Sequence, residues 1–183
     1  MLETLHLHFR HNQTLIIPPG QERWISGYSD ASWDSDKGQG GWGGWVRDSH
    51  QRIIMAAPCP SWVNNVNEAE LIGVVGVIKV ALKYLDSRWA NILVVKTDSQ
   101  SVCRWFGWKT TTPQLPKTPA AAAWVLRSFH HAHRLGVRLV VTWVKGHQGT
   151  GSTSGYLNDQ VDRLAKAARI DQDQVFKRMP LEP

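Results

Sequence analysis

Two aspartates stand where strands should end. Asp30 follows the alternating segment RWISGYS, residues 23–29, and Asp98 follows the short apolar run NILVVKT, residues 91–97. If those strands are parallel neighbours, both carboxylates leave the sheet at one end, where sheets of this kind form their active sites. Glu68 and Glu70 lie near the start of a long amphipathic pattern, and Asp162 near the start of another. Acids placed this way can converge on one spot. A lone strand-end aspartate is more often a turn or helix cap; two at matching ends of neighbouring core strands carry more weight. Four acids crowded together would repel one another without a cation, and carboxylate oxygens are the ligands a hard divalent ion prefers.

The elements that must position these acids can be read from the apolar periodicity. Residues 23–29, 42–47 and 52–57 read as short strands joined by the turns DSDKGQGG and DSHQ, which predicts an antiparallel meander. The period then changes. Leu71, Val74, Val75, Ile78, Leu82 and Leu85 recur at three and four residues, predicting a helix over 68–86. A buried strand over 91–97 follows, then a short helix after Asp98 and a proline- and threonine-rich loop, WKTTTPQLPKTP. A helix over 120–134, a strand over 137–144 and a last helix over 158–169 complete the pattern. The expected fold is α/β, with a five-stranded mixed sheet of three meander strands and two parallel strands, flanked by helices. Residues 1–22 are expected to be an N-terminal extension, 23–169 the catalytic domain and 170–183 a peripheral tail.

Composition narrows the class. The chain has 183 residues, 42% hydrophobic and 20% charged, enough for one well-buried core. No apolar run approaches the ~20 residues a membrane helix needs, and no secretory leader is evident. Two cysteines, Cys59 and Cys103, suggest neither a disulfide framework nor a structural zinc site, so a cytoplasmic location is expected. Lys and Arg number 21 against 15 Asp and Glu, a net charge of +6 that favours polyanionic partners. Ten tryptophans offer flat faces to sugars or bases as well as core bulk.

Five fragments carry a family resemblance: Tyr28-Ser29-Asp30-Ala31-Ser32, Ala69-Glu70-Leu71, Thr97-Asp98-Ser99-Gln100, Trp143-Val144-Lys145-Gly146-His147, and Asn158-Asp159-Gln160-Val161-Asp162 with Leu164-Ala165 after it. In this order, and on these elements, they resemble the type 1 ribonuclease H family over roughly residues 23–169. The resemblance implies an RNase H-like fold and an endoribonuclease that cuts the RNA strand of RNA–DNA hybrids. It also implies that Asp30, Glu70, Asp98 and Asp162 hold two Mg²⁺ ions, with Mn²⁺ as a substitute, and that the products carry 5′-phosphate and 3′-hydroxyl ends. On a helical wheel Glu68 and Glu70 flank the apolar face on opposite sides, so periodicity does not choose between them. The family pattern of Ala, Glu, Leu selects Glu70.

Other residues follow from the same resemblance. His147, in WVKGH, matches the family's mobile histidine, which aids proton transfer or product release. The glycine-rich GTGSTSGYL segment behind it is longer than is usual there. Asn65, Asn67 and Gln100 correspond to positions that touch the hybrid, where amides read 2′-hydroxyls; helix capping is the plainer reading of either asparagine. Trp105 and Trp108 are candidates to pack against the DNA sugars, with core packing as the alternative, and Lys145 is a further expected contact. The turn WDSDKGQG replaces the family's usual glycine- and asparagine-containing turn. No obligate protein partner is implied, and a monomer is expected.

Three other readings compete. An idle module of the same fold would be free to lose acids, and this chain keeps the full set. Related DNA nucleases share the fold and some acids, but not the WVKGH and TDSQ fragments together. A domain of a retroelement reverse transcriptase would look much the same, although Met1 and the short tail fit a free-standing chain.

Overall fold

In the computed structural model, residue 12 and residues 15–84, 90–108, 114–146 and 153–181 are described. Strands β1 (Trp24–Asp34), β2 (Gln39–Arg47) and β3 (Gln51–Pro58) precede helix α1 (Val66–Tyr84) and strand β4 (Ile92–Thr97). Helices α2 (Gln100–Trp105) and α3 (Pro119–Arg134), strand β5 (Arg138–Trp143), helix α4 (Thr153–Asp171) and strand β6 (Val175–Pro180) follow. The sheet order is β5-β4-β1-β2-β3-β6, with β4 parallel to both β1 and β5 and the other pairs antiparallel. The expected meander and parallel pair are therefore both present.

The core lies between α1 and one face of the sheet. Leu71, Val74, Val75 and Ile78 of α1 are buried against Ile25, Val46, Ile53 and Leu93, and Phe129 of α3 closes the same cluster. Helix α4 covers the opposite face over β1, β2 and β3. Glycines in β1 and β2 allow both helices to come this close. A Cβ on Gly27 or Gly44 would stand 2.6 Å from a methyl of Val77 in α1, and on Gly41 or Gly43 it would overlap the backbone of α4. Gly41, Gly43 and Gly44 are helix-packing positions on two faces of β2, and Gly40 and Gly41, expected in a turn, belong to that strand.

Three expectations need adjusting. The sheet has a sixth strand where a peripheral tail was expected. The strand residues of β6 are exposed apart from Met179, so no alternating apolar signal marks it. Backbone pairing with β3 from Gln51↔Pro180 to Ala56↔Val175 and the contact of Phe176 with Tyr84, ring centroids 5.0 Å apart, hold it in place. Asp30 does not close its strand, because β1 runs four residues further, pairing with β2 as far as Asp34↔Gln39. Helix α4 begins at Thr153, inside the glycine-rich segment, which puts Asp162 near mid-helix and not near its start.

At the chain's start, Asn12 is fully buried, and its side-chain amide bonds both the Val137 carbonyl and the Leu139 N–H at 2.9 Å. These bonds fasten Asn12 to the start of the edge strand β5. No helix among the described residues is long and apolar enough to cross a membrane.

Candidate active site

The sheet register brings the two strand aspartates level. Tyr28 of β1 pairs with Lys96 of β4, the last parallel pair between these strands. Two residues further along each chain lie Asp30 and Asp98, just past the end of that ladder. Beyond Asp98 the chain turns into α2, where the Ser99 hydroxyl caps the helix by accepting from the Val102 N–H at 3.4 Å. The Trp143 indole N–H donates to the Asp98 carbonyl at 3.0 Å and ties this turn to β5. Gly146 is pressed against the Asp98 carboxylate, and a Cβ there would overlap Oδ2.

Glu70 completes a trio. One carboxylate oxygen each from Asp30, Glu70 and Asp98 lies within 4.8 Å of the others. Asp30 and Glu70 are buried, at 5% and 8% exposure, and Asp98 is half-buried. Burial first, then the Asp98 charge, pushes the Asp30 carboxyl up from 3.8 to about 7, against the Ala31 N–H that donates to it at 2.8 Å. Glu70 is pushed well above the usual carboxylate range by burial and by Asp30 and Asp98. Its Oε2 is buried and has no hydrogen-bond partner among the described residues. A lone-pair oxygen buried among like charges fits a cation.

The donors are all oxygen. Cys59 and Cys103 are held as thiols, both pushed up to about 12 by burial first and then by nearby carboxylates of this group. Neither offers a thiolate, so the set suits a hard divalent ion and not a soft one.

The two glutamates part company. Glu68 is buried away from the trio: its Oε2 accepts from the Asn64 N–H at 3.0 Å, and its Oε1 accepts from the Thr118 hydroxyl. Asn65 caps α1, its side-chain oxygen accepting from the Glu68 N–H at 3.0 Å. Glu68 is thus a helix-start acid that anchors the entry to α3. Asp162 stands outside the close trio, paired with Lys166 at 2.7 Å, yet its charge still raises Asp30. Lys166 escaped the sequence reading, although its position four residues after Asp162 on a helix was a legible signal. Gly146 escaped too, since nothing in a sequence says which side chain a glycine faces.

The expected substrate residues divide. Asn65, Asn67 and Trp105 line one cavity of about 380 Å³ together with Gln114, Lys117 and Thr118. Gln100 is exposed, and its amide oxygen accepts from Arg104 at 3.4 Å. Trp108 packs on the core, its ring centroid 6.2 Å from that of Trp143. Lys145 is exposed beside Gly146. His147 and Lys109 lie outside the described residues.

A six-stranded mixed sheet with carboxylates gathered at the ends of its central parallel strands is the frame of a nuclease. The family model for RNase H matches residues 22–170, and the chain belongs to that family of ribonucleases. Several solved structures share the fold. LC11-RNase H1 in complex with an RNA/DNA hybrid is 17% identical with a TM-score of 0.61, covering 80% of this chain and 97% of that one. The N-terminal RNase H domain of Rv2228c from Mycobacterium tuberculosis is 19% identical, TM-score 0.55, covering 82% and 96%. LC9-RNase H1, a type 1 RNase H with the type 2 active-site motif, is 21% identical, TM-score 0.56, covering 91% and 80%. No curated protein matches the sequence.

Proposed function

We propose that this ribonuclease hydrolyses the RNA strand of RNA–DNA hybrids with two Mg²⁺ ions, leaving 5′-phosphate and 3′-hydroxyl ends. The observation that carries the reading is the trio of Asp30, Glu70 and Asp98, with a buried Glu70 oxygen that lacks a partner among the described residues. Asp30, Glu70 and Asp98 would hold one ion between them, and Asp162, beside Asp30, would share in holding the second. When bound, such ions activate the attacking water and stabilise the leaving oxygen.

The remaining tasks fall to the chain's own residues. Asp30 is fixed by the Ala31 N–H, so its free oxygen has one orientation. Gly146 lets the loop after β5 pass directly against Asp98. His147 is assigned proton transfer at the leaving group or release of product. Asn65, Asn67 and Trp105, which share one cavity, and the exposed Gln100 are assigned to the hybrid, since amides can read 2′-hydroxyls and an indole can pack on sugars. The hybrid solved with LC11-RNase H1 supports the choice of substrate.

The test uses labelled RNA–DNA hybrid, duplex RNA and duplex DNA, each with Mg²⁺ and with EDTA. Cleavage of the hybrid alone, abolished by EDTA, is the expected result. Equal cleavage of duplex DNA, or activity that survives EDTA, would overturn the proposal.

A further inference from the structure

The side of the sheet that α4 covers carries a second concave site, displaced along β2 from the trio of Asp30, Glu70 and Asp98. Arg47 on β2 and Arg52 on β3 are Cα partners in the β2–β3 ladder, so two cations stand directly opposite one another. Like charges in that position destabilise a sheet. Among the described residues neither forms an ion pair; the pairs found there engage Arg163, Lys166 and Arg169. Both arginines line a cavity of about 410 Å³, the size range of sites that hold a small ligand. Ile54, Leu157 and Met179 make its apolar wall, Tyr156 and Gln160 stand at its α4 side, and no lining residue is acidic.

These features specify the chemistry of an occupant. Two exposed arginines side by side favour an anion, and their planar forks suit a phosphate. Tyr156 is 50% exposed, a large amphipathic ring left in solvent at the edge of an apolar wall. A phosphate next to a flat apolar ring is what one nucleotide of a single strand presents. Paired bases cannot insert into such a site; unpaired ones can. The Gln160 amide adds a group that can both donate to and accept from a 2′-hydroxyl.

We infer that this cavity binds single-stranded RNA, with a phosphate between Arg47 and Arg52 and the adjoining base against Tyr156. The site depends on the sixth strand, because Met179, the partner of Arg52, supplies part of its wall. Along β2, Arg47 lies four residues from Gly43, the partner of Asp30, or roughly 13 Å at strand spacing. Strand binding and metal chemistry are therefore separable, and RNA binding here does not depend on the proposed reaction.

The experiment measures binding of a labelled ten-nucleotide single-stranded RNA in EDTA by fluorescence anisotropy. It compares the parent with Arg47→Ala/Arg52→Ala and with Tyr156→Ala, and thermal unfolding verifies that each variant is folded. The double variant is expected to bind about tenfold more weakly. Its dependence on log salt should flatten by about 0.7 for each phosphate that is no longer neutralised. Tyr156→Ala is expected to weaken binding about tenfold with the salt slope unchanged. Cleavage of a blunt hybrid should be unaffected in both. Unchanged RNA affinity in the folded variants would overturn the inference. So would a parent that binds a DNA decamer equally well, since phosphate and base alone would then be recognised.

Discussion

Replacing Asp30 by Asn should make the protein more stable without metal while destroying its activity. The Asp30 carboxyl is raised on folding from 3.8 to about 7, first by burial and then by Asp98. An acid whose pKa is raised holds more protons folded than unfolded. The resulting cost is therefore absent below about pH 4, grows as pH rises, and is complete above about pH 7. At its limit it amounts to about 4 kcal/mol, a roughly thousandfold change in proton affinity. An Asn at this place keeps an oxygen for the Ala31 N–H, and its amide can donate to Asp98 or Glu70 within the trio. Ordering that amide in a buried site offsets about 1–2 kcal/mol. The net gain is about 2–3 kcal/mol at pH 8, or roughly 5–10 °C in Tm for a chain of this size. The assay is thermal unfolding in EDTA at pH 4 and pH 8, then at pH 8 with Mg²⁺. The variant should be less stable than the parent by about 1–2 kcal/mol at pH 4, where only the amide cost remains, and exceed it at pH 8, while Mg²⁺ should stabilise the parent far more than the variant. An Asn variant less stable than the parent at pH 8 in EDTA would refute the argument that burial and like charge dominate this site.

The remaining predictions are briefer. Glu70→Gln should abolish hybrid cleavage, whereas Glu68→Gln should keep near-parent turnover and lose about 1–2 kcal/mol in urea unfolding, because Glu68 accepts from Asn64 and Thr118; the reverse pattern would exchange their roles. Gly146→Ala should cut turnover about tenfold or more with the fold intact, since its Cβ would displace the Asp98 carboxylate; a fully active variant would mean that this contact is not needed. His147→Ala should slow cleavage without eliminating it and leave Mg²⁺ affinity unchanged; complete loss would make His147 a ligand. Hybrid binding, measured against salt with Ca²⁺ in place of Mg²⁺, should be less salt-sensitive than in family members with a basic helical handle. Between Asp98 and α3 the described helix is only α2, and the basic residues are Arg104, Lys109 and Lys117. A steep slope, reduced by about 0.7–0.9 by each of Lys109→Ala and Lys117→Ala, would show that this loop grips the hybrid.

Much of the fold was legible because burial writes a period into a chain. The α1 residues Leu71, Val74, Val75 and Ile78 recur at helical spacing and do face the core, and NILVVKT is the buried strand its composition suggests. That Asp30 and Asp98 share one end of the sheet also followed from strand order and parallel pairing alone. Local patterning carries no signal for elements held by backbone pairing, however, so β6, with its exposed side chains, read as a tail. Nor does it carry a signal for close approach. Gly40 and Gly41 read as the end of a turn, and the role of the β2 glycines, admitting α1 at Gly44 and α4 at Gly41 and Gly43, exists only once distant segments meet. The choice between Glu68 and Glu70 was likewise beyond helical periodicity, since both flank the apolar stripe. Tertiary structure separated them: the helix entry and Thr118 of α3 engage Glu68, and the sheet end engages Glu70. The raised pKa values of Asp30 and Glu70 belong to that same level, because desolvation and like-charge repulsion depend on distances in space and not on spacing along the chain.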